Sequence, residues 1–438
     1  MEFISTSGRS RPASLGEALR RGLAPDGGLY FPVSLPVLPP SFFERLPDLS
    51  LSEIAGEVAC HLLQDDLPAE ELRRIAAEAL DFPIPLVPLT DRIHVLELFH
   101  GPTLAFKDVG ARFLARMLAA TGQDEGKLTI LAATSGDTGG AVAQAFFGVE
   151  GTQVVVLYPQ GQVSPLQERQ FATLGGNVRT FAVEGAFDDC QALVKQAFAD
   201  RDLAERLGLT SANSINVGRL LPQSFYYFHA AAQLWKKVGS RAPLIFSTPS
   251  GNFGNLAAGL MARALGLDVR FVAATNRNDV VPEYLLTGDF RPRSSERTVS
   301  NAMDVGNPSN FARIEHLYGG DLQALQEHVR GRAIEDEATL QTIREVDEAF
   351  GYLMDPHTAV GYLALKEALP DLPAEMVGVV LSTAHPAKFL EIVEPEIGRP
   401  IPLPPALSER LKDPLRNEVL QNDYDEFRRR LLGSFPEA

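Results

Sequence analysis

From Ile93 onward, short and almost continuously apolar runs alternate with longer amphipathic stretches, and this alternation limits the folds open to the chain more than any other feature. The runs at 128–133, 154–158, 178–183, 244–247 and 269–273 are rich in β-branched side chains, while 138–147, 188–199, 222–238 and 255–265 have helical spacing. A strand apolar on both faces has to be covered on both faces. A helical connection does this while returning the chain for a parallel partner. The fold class is therefore α/β, built of parallel layers. A last short strand at 377–382 leads into the sequence TAHPAKF, and the more polar stretch 291–354 carries a charged helix at about 334–350.

At 438 residues the chain is too long for one simple core, so two or three domains are expected. Residues 1–82 read as a unit of their own, with a turn at Pro25-Asp26-Gly27-Gly28, a proline-rich crossing at 32–40, and helices at 51–63 and 69–80. The prolines of 81–90 break any helix and mark a linker or an extended edge. A formal charge of −16 opposes sequence-independent binding to nucleic acid or to an anionic membrane. No stretch approaches a membrane span, no secretory leader is visible, and the two cysteines, Cys60 and Cys190, have no framework spacing. A reducing cytoplasm is the expected location. Metal-ligand spacing among the eight histidines, a G-x-S-x-G elbow and a Walker loop are all missing, which argues against zinc hydrolases, serine hydrolases and P-loop enzymes.

Four loops at strand ends carry chemistry, at the place where open α/β sheets hold ligands. In HGPTLAFKDVG, 100–110, Lys107 lies between Phe106 and Asp108, after an apolar run and before a helical one at 109–118. A helix N-terminus and burial both disfavour an ammonium, and a lysine with a depressed pKa is a nucleophile whose commonest cofactor is pyridoxal phosphate. A solvated surface lysine is the alternative at this point. In ATSGDTGGA, 133–141, glycines and the hydroxyls of Ser135 and Thr138 suit a carboxylate or phosphate, or simply an ordinary helix cap. In PSGNFGN, 249–255, Gly251 and Gly254 make a plausible phosphate cup, and a dinucleotide fingerprint is absent. In 211–223, Asn213, Ser214, Asn216, Arg219 and Gln223 precede a long helix, with Arg219 suited to an oxyanion or left in solvent. Asp108 reads as a helix cap or structural partner.

HGPTLAFKD taken together with TSGDTGGA, SANSINVGR, SGNFGN, DVGNPSN (304–310), MDPHTAVG (354–361), STAHPAKF (382–389) and the N-terminal PDGGLYFP (25–32) resembles the threonine synthase family of fold-type II pyridoxal phosphate enzymes. The resemblance spans essentially the whole chain in order. It implies two parallel or mixed α/β subdomains within 83–390, the smaller at roughly 108–200, with pyridoxal 5′-phosphate in the cleft between them. A small N-terminal domain, 1–82, precedes them, and a tail, 391–438, with a terminal helix at 424–432, packs on the catalytic region. Lys107 would carry the cofactor, beside Phe106. Gly251, Asn252, Phe253, Gly254 and Asn255 would hold its phosphate through backbone N–H groups. Thr383, with Ser382 beside it, would offer a neutral hydroxyl to the pyridine nitrogen. Thr103, Ser135, Gly136 and Thr138 would face the substrate, the 135–138 loop taking its carboxylate. Asn213, Ser214, Arg219 and Gln223 would take the substrate phosphate. Related enzymes often have asparagine where this chain has Asp137, in contact with the cofactor's phenolic oxygen. An ionised carboxylate there would oppose that oxygen, so Asp137 either turns away or shares a proton.

The implied reaction converts O-phospho-L-homoserine and water to L-threonine and phosphate, by elimination at Cγ and addition of water at Cβ, with Lys107 as the base. Two neighbouring activities share the scaffold: a serine or threonine dehydratase, which the phosphate-type cluster at Arg219 disfavours, and a phosphohomoserine lyase that stops at a keto acid. A non-catalytic ligand-binding homologue would have no use for Lys107 or the 251–255 loop. No metal is implied. A monomer or a weak homodimer is expected, because one chain supplies every site.

Overall fold

The structure, a computed structural model, describes residues 1–122 and 127–433. Three sheets organise it. An antiparallel pair, Phe3–Ser5 with Tyr30–Pro32, belongs to the N-terminal unit. Helices Leu51–Leu63 and Ala69–Ala79 pack on each other beside it. The first of these starts at a capping box, Ser50 with Glu53, and buries Leu51, Ile54, Ala55, Val58 and Leu62 along one stripe.

The large sheet runs in the spatial order Val329–Ala333, Val269–Thr275, Leu244–Pro249, Val377–Ser382, Ile93–Glu97, Leu86–Pro88. All its pairings are parallel except the last. The small sheet runs Glu418–Gln421, Val178–Glu184, Thr152–Pro159, Leu128–Ala133, Leu209–Thr210, and is parallel throughout. The period of two explains the apolar runs. Phe246, Phe271 and Val379 enter one core with Tyr227 and Leu260, whereas their neighbours Ile245, Val272 and Val380 enter another with Val360 and Leu365. In the small sheet Ile130, Val154 and Val156 point one way and Leu131, Val155 and Leu157 the other. Each fully buried side chain of this size contributes roughly 1.5–3 kcal/mol.

One open alternative is decided by the structure, and two strands appear that the sequence reading did not contain. Of the two readings of the proline cluster, linker or extended edge, the structure shows the edge: a short strand, Leu86–Pro88, pairs antiparallel at the sheet margin, where a missing N–H is tolerated. The polar stretch hides the strand Val329–Ala333, and the tail does more than pack: Glu418–Gln421 extends the small sheet. Among the described residues, no helix is long and apolar enough to cross a membrane.

Candidate active site

Because neighbouring strands are parallel, their following loops meet at one edge. In the large sheet Ile93–Glu97, Val377–Ser382 and Leu244–Pro249 lie side by side, so the loops of Lys107, Thr383 and Gly251 converge. Leu128–Ala133 and Leu209–Thr210, adjacent in the small sheet, deliver Ser135 and Asn213.

The turn before Lys107 is torsionally strained and is held in place by hydrogen bonds. Leu104 takes a left-handed conformation, φ 57°, which costs about 1–2 kcal/mol for a residue with a Cβ. Phe106 N donates to Thr383 O at 2.8 Å and His385 N donates to Leu104 O at 3.0 Å, stitching the turn to the residues after the last strand. Helix Lys107–Thr121 begins at the lysine itself, so the positive end of its dipole sits at that residue. Asp108, buried, accepts from Thr103 N at 2.9 Å and Thr103 Oγ1 at 2.7 Å. Only glycine fits at 101, since a Cβ there would lie 2.5 Å from Asp108 Oδ2. Lys107 is enclosed by protein on most sides yet partly open, as a side chain lining a cleft is. Burial lowers its pKa; Asp137 opposes this, while the charges of Lys388 and Arg219 reinforce it. Its Nζ lies 5.7 Å from the Phe106 ring centre.

After strand Leu244–Pro249 the chain makes a second strained turn, with Phe253 at φ 59°, before helix Gly254–Ala264. The Asn255 side chain shapes this loop: Nδ2 donates to Pro249 O at 2.8 Å and Oδ1 accepts from Ser250 Oγ at 2.8 Å. Asn252 Nδ2 donates to Ser214 Oγ at 3.0 Å, tying the cup to the Asn213 loop. A Cβ at Gly251 would lie 2.8 Å from Met303 Cα. The N–H groups of Gly251, Asn252, Phe253 and Gly254 find no acceptor among the described residues. Four unpaired donors at a helix N-terminus form an anion cup.

Across the cleft, Thr134 Oγ1 accepts from Gly136 N at 3.0 Å and Gly139 N at 2.8 Å, folding the start of helix Asp137–Phe146 and leaving exposed Ser135 and half-buried Thr138 at its mouth. Gly136 has φ 148° and no room for a Cβ beside Gln167. Asp137 is paired with a cation. Its Oδ1 meets Lys388 Nζ at 2.6 Å and accepts from Gln167 Nε2 at 2.8 Å, and Lys388, fully buried, also donates to Thr103 O at 2.7 Å. Burial would raise the Asp137 pKa, but Lys388 and Lys107 outweigh it and hold the carboxyl well below the usual range.

Arg219 is buried, with Nη1 donating to Ala212 O at 2.6 Å and Nε without a partner among the described residues. Burial brings it down to about 10, with Asp108 opposing. Asn213 Oδ1 is also unpartnered, and Gln223 Nε2 donates to Arg219 O at 2.7 Å. Asn216 is fully committed to structure, donating to Leu19 O and Ser211 O and capping the helix it precedes. Behind the last strand, Ser382 Oγ meets Thr358 Oγ1 at 2.8 Å, and Thr358 Oγ1 donates to buried Asp355. The Thr383 hydroxyl has no hydrogen bond among the described residues, so of the two hydroxyls it is the free one.

The structure thus brings together Lys107, Phe106, Asp137, the 251–255 loop, Thr383, Ser135, Thr138, Asn213, Ser214, Arg219 and Gln223. Thr103 is a correction: it is fully buried and its N, Oγ1 and O all engage Asp108, Gln170 or Lys388, so it orients those groups instead of facing a substrate. Sequence reasoning gave no role to Lys388, although STAHPAKF contains it, because its partner Asp137 lies far away in the chain.

A phosphorylated aldehyde on an aromatic ring fits this donor set: a depressed amine, a cup of free N–H groups and one free hydroxyl. Fold and site define an α/β pyridoxal-phosphate-dependent enzyme, and residues 82–383 match the family described as Pyridoxal-phosphate dependent enzyme. Residues 2–80 match Threonine synthase N terminus and residues 358–430 match Threonine synthase, C-terminal. The chain is 45% identical to the threonine synthase of Serratia marcescens, over 99% of both chains. It superposes on the crystal structure of threonine synthase from Escherichia coli with TM-score 0.92 at 45% identity, covering 99% of this chain and 100% of that one. With the PLP-bound threonine synthase of Brucella melitensis the TM-score is 0.93 at 36% identity, covering 100% of both. The chain belongs to the threonine synthase family.

Proposed function

We propose that the chain converts O-phospho-L-homoserine and water to L-threonine and phosphate. The observation that carries this reading is the pair of separate anion sites around one depressed lysine: the cup at Gly251 to Gly254 and the uncompensated guanidinium of Arg219. One phosphate belongs to the cofactor, so a second cationic site is matched by a phosphorylated substrate, which a serine or threonine dehydratase does not use.

The bound cofactor supplies an electron sink for the charge left when protons leave substrate carbon. The chain does the rest. Lys107, kept from holding its proton by burial, serves as the base at Cα. The free N–H groups and hydroxyls of Ser135 and Thr138 orient the substrate carboxylate at a helix N-terminus. Arg219, with Asn213 and Ser214, holds the substrate phosphate and stabilises charge growing on it as it departs from Cγ. Thr383 gives the ring nitrogen a neutral partner. Asp137 is neutralised by Lys388, so it can lie beside the cofactor without repelling it. Every one of these residues comes from one chain, which supports a monomer or a weak homodimer.

Purified protein should release phosphate from O-phosphohomoserine and yield threonine by mass spectrometry. Lys107→Ala should lose both the cofactor's absorbance band and the activity. A keto acid in place of threonine would favour the lyase, and no phosphate release would sink the proposal.

A further inference from the structure

Asn310 ends the DVGNPSN segment and precedes helix Phe311–Tyr318, and nothing above uses it. It is fully buried, and its Oδ1 accepts from Arg313 Nη1 at 2.5 Å. A guanidinium only donates, so this contact fixes which end of the amide is oxygen and turns Nδ2 the other way. There Nδ2 has no partner among the described residues. The space it faces is the phosphate cup: a Cβ placed on Gly254 would lie 3.5 Å from Asn310 Nδ2 and 3.8 Å from Gln223 Nε2. The same corner is fastened to the cup by backbone, with Asn310 N donating to Asn252 O at 3.3 Å and Ser309 N to Asn252 Oδ1 at 2.8 Å.

Arg313 completes the picture. It too is fully buried, and its other donors go to main-chain oxygens only: Nε to Tyr30 O at 3.0 Å, Nη1 to Ser214 O at 3.3 Å and Nη2 to Ile215 O at 2.6 Å. No carboxylate pairs with it among the described residues, and burial alone brings its pKa down to about 9. A buried cation with no counter-charge, polarising an amide whose N–H2 points at an anion cup, is arranged for an anion not made of protein.

We propose that Asn310, aimed by Arg313, donates directly to the phosphate of the bound cofactor, and that this phosphate is the counter-charge Arg313 lacks. The proposal rests on the reading of Gly251 to Gly254 as the cofactor's phosphate cup. Asn310 is then the side-chain donor opposite the four main-chain donors, and Arg313 is a positioning residue acting through it.

The test compares the affinity of the apoenzyme for pyridoxal 5′-phosphate with its affinity for pyridoxal, which lacks the phosphate, by fluorescence titration. Asn310→Ala should weaken pyridoxal phosphate about tenfold and leave pyridoxal unchanged, the loss expected of one hydrogen bond to a charged acceptor. Asn310→Asp keeps the Arg313 contact but turns an oxygen toward the phosphate, and should weaken pyridoxal phosphate by about a hundredfold. The phosphorus resonance of the bound cofactor should shift in both variants. Equal losses for both ligands, or no loss for either, would overturn the role of Asn310. Gly254→Ala separates the two readings, since its methyl enters the cup without a protein clash. If it alone erodes the preference for the phosphorylated ligand, the cup stands and Asn310 is not part of it; if it also leaves that preference intact, the cup reading itself falls.

Discussion

Lys388→Met isolates what the buried ion pair with Asp137 does. The substitution keeps length and apolar bulk but removes the 2.6 Å contact to Asp137 Oδ1 and the 2.7 Å donation to Thr103 O. Both partners are buried, so the carboxylate left behind keeps only Gln167 Nε2 as a donor and Lys107 as a nearby charge. Removing one partner of such a pair costs about 3–5 kcal/mol at pH values where the survivor stays ionised. The sign of the pH dependence should also reverse. In the parent protein the Asp137 pKa is held below its unfolded value, so its contribution is present above the usual carboxylate range and is lost only as pH falls through the lower folded value. In the variant, burial without Lys388 raises the folded pKa. The acid form is then favoured in the native state, and stability is lost as pH rises from the unfolded pKa of about 3.9 toward the new folded value. Urea midpoints at pH 5.5 and pH 8 read this directly. The variant should be less stable at both, more so at pH 8, and Lys388→Met with Asp137→Asn should recover most of the loss, because a neutral amide needs no cation. A penalty under about 1 kcal/mol at pH 8, or a double variant as unstable as the single, would refute the reasoning.

Arg219→Gln should raise KM for the phosphorylated substrate by about 10- to 100-fold, the value of a charged hydrogen bond of roughly 1.5–3 kcal/mol, and should weaken inhibition by inorganic phosphate in parallel; unchanged KM would remove Arg219 from the substrate site. Thr383→Val should load cofactor yet lose about tenfold in kcat, with Thr383→Ser restoring it, while Ser382→Ala should act less because its hydroxyl is turned to Thr358. Equal kcat losses for the two sites would mean that Thr383 is not the partner of the ring.

What the sequence revealed and what it hid follow from range. Strands buried on both faces are legible because both faces must be apolar, so 128–133 and 377–382 agree with the structure end to end. The strand Val329–Ala333 escaped because it lies at the sheet edge with one parallel neighbour; Arg330 and Arg332 stay half-exposed, and its sequence carries little of the pattern. Glu418–Gln421 was hidden for the same reason. In the site, local chemistry was legible: a lysine after a strand, glycines before a helix, a hydroxyl after the last strand. Pairings across the chain were not. Asp137 with Lys388, and Asn310 with the cup through Asn252, depend on tertiary contact that no spacing encodes.

These pairings also explain how a chain of net charge −16 can take up two phosphates. The charge that matters is kept inside. Arg219, Arg313 and Lys388 are buried within a few loops of Lys107, while the buried carboxylates nearby are Asp108, Asp137 and Asp355, the last engaged by Thr358 and His357. Lys388 is cancelled by Asp137, and Asp108 is occupied by Thr103 while acting on Arg219 only from a distance. Arg313 and Arg219 are therefore left short of counter-charge, and both have their pKa lowered by the cost of burial. Each also lies next to an unpaired polar atom, Nδ2 of Asn310 beside Arg313 and its own Nε in Arg219. A fold would remove such defects if they served only stability, since replacing a buried ion by apolar atoms is commonly neutral or stabilising. Their position on two separate short helices, Val217–Leu220 and Phe311–Tyr318, is accounted for if each awaits a different phosphate, one that stays with the cofactor and one that leaves with the product.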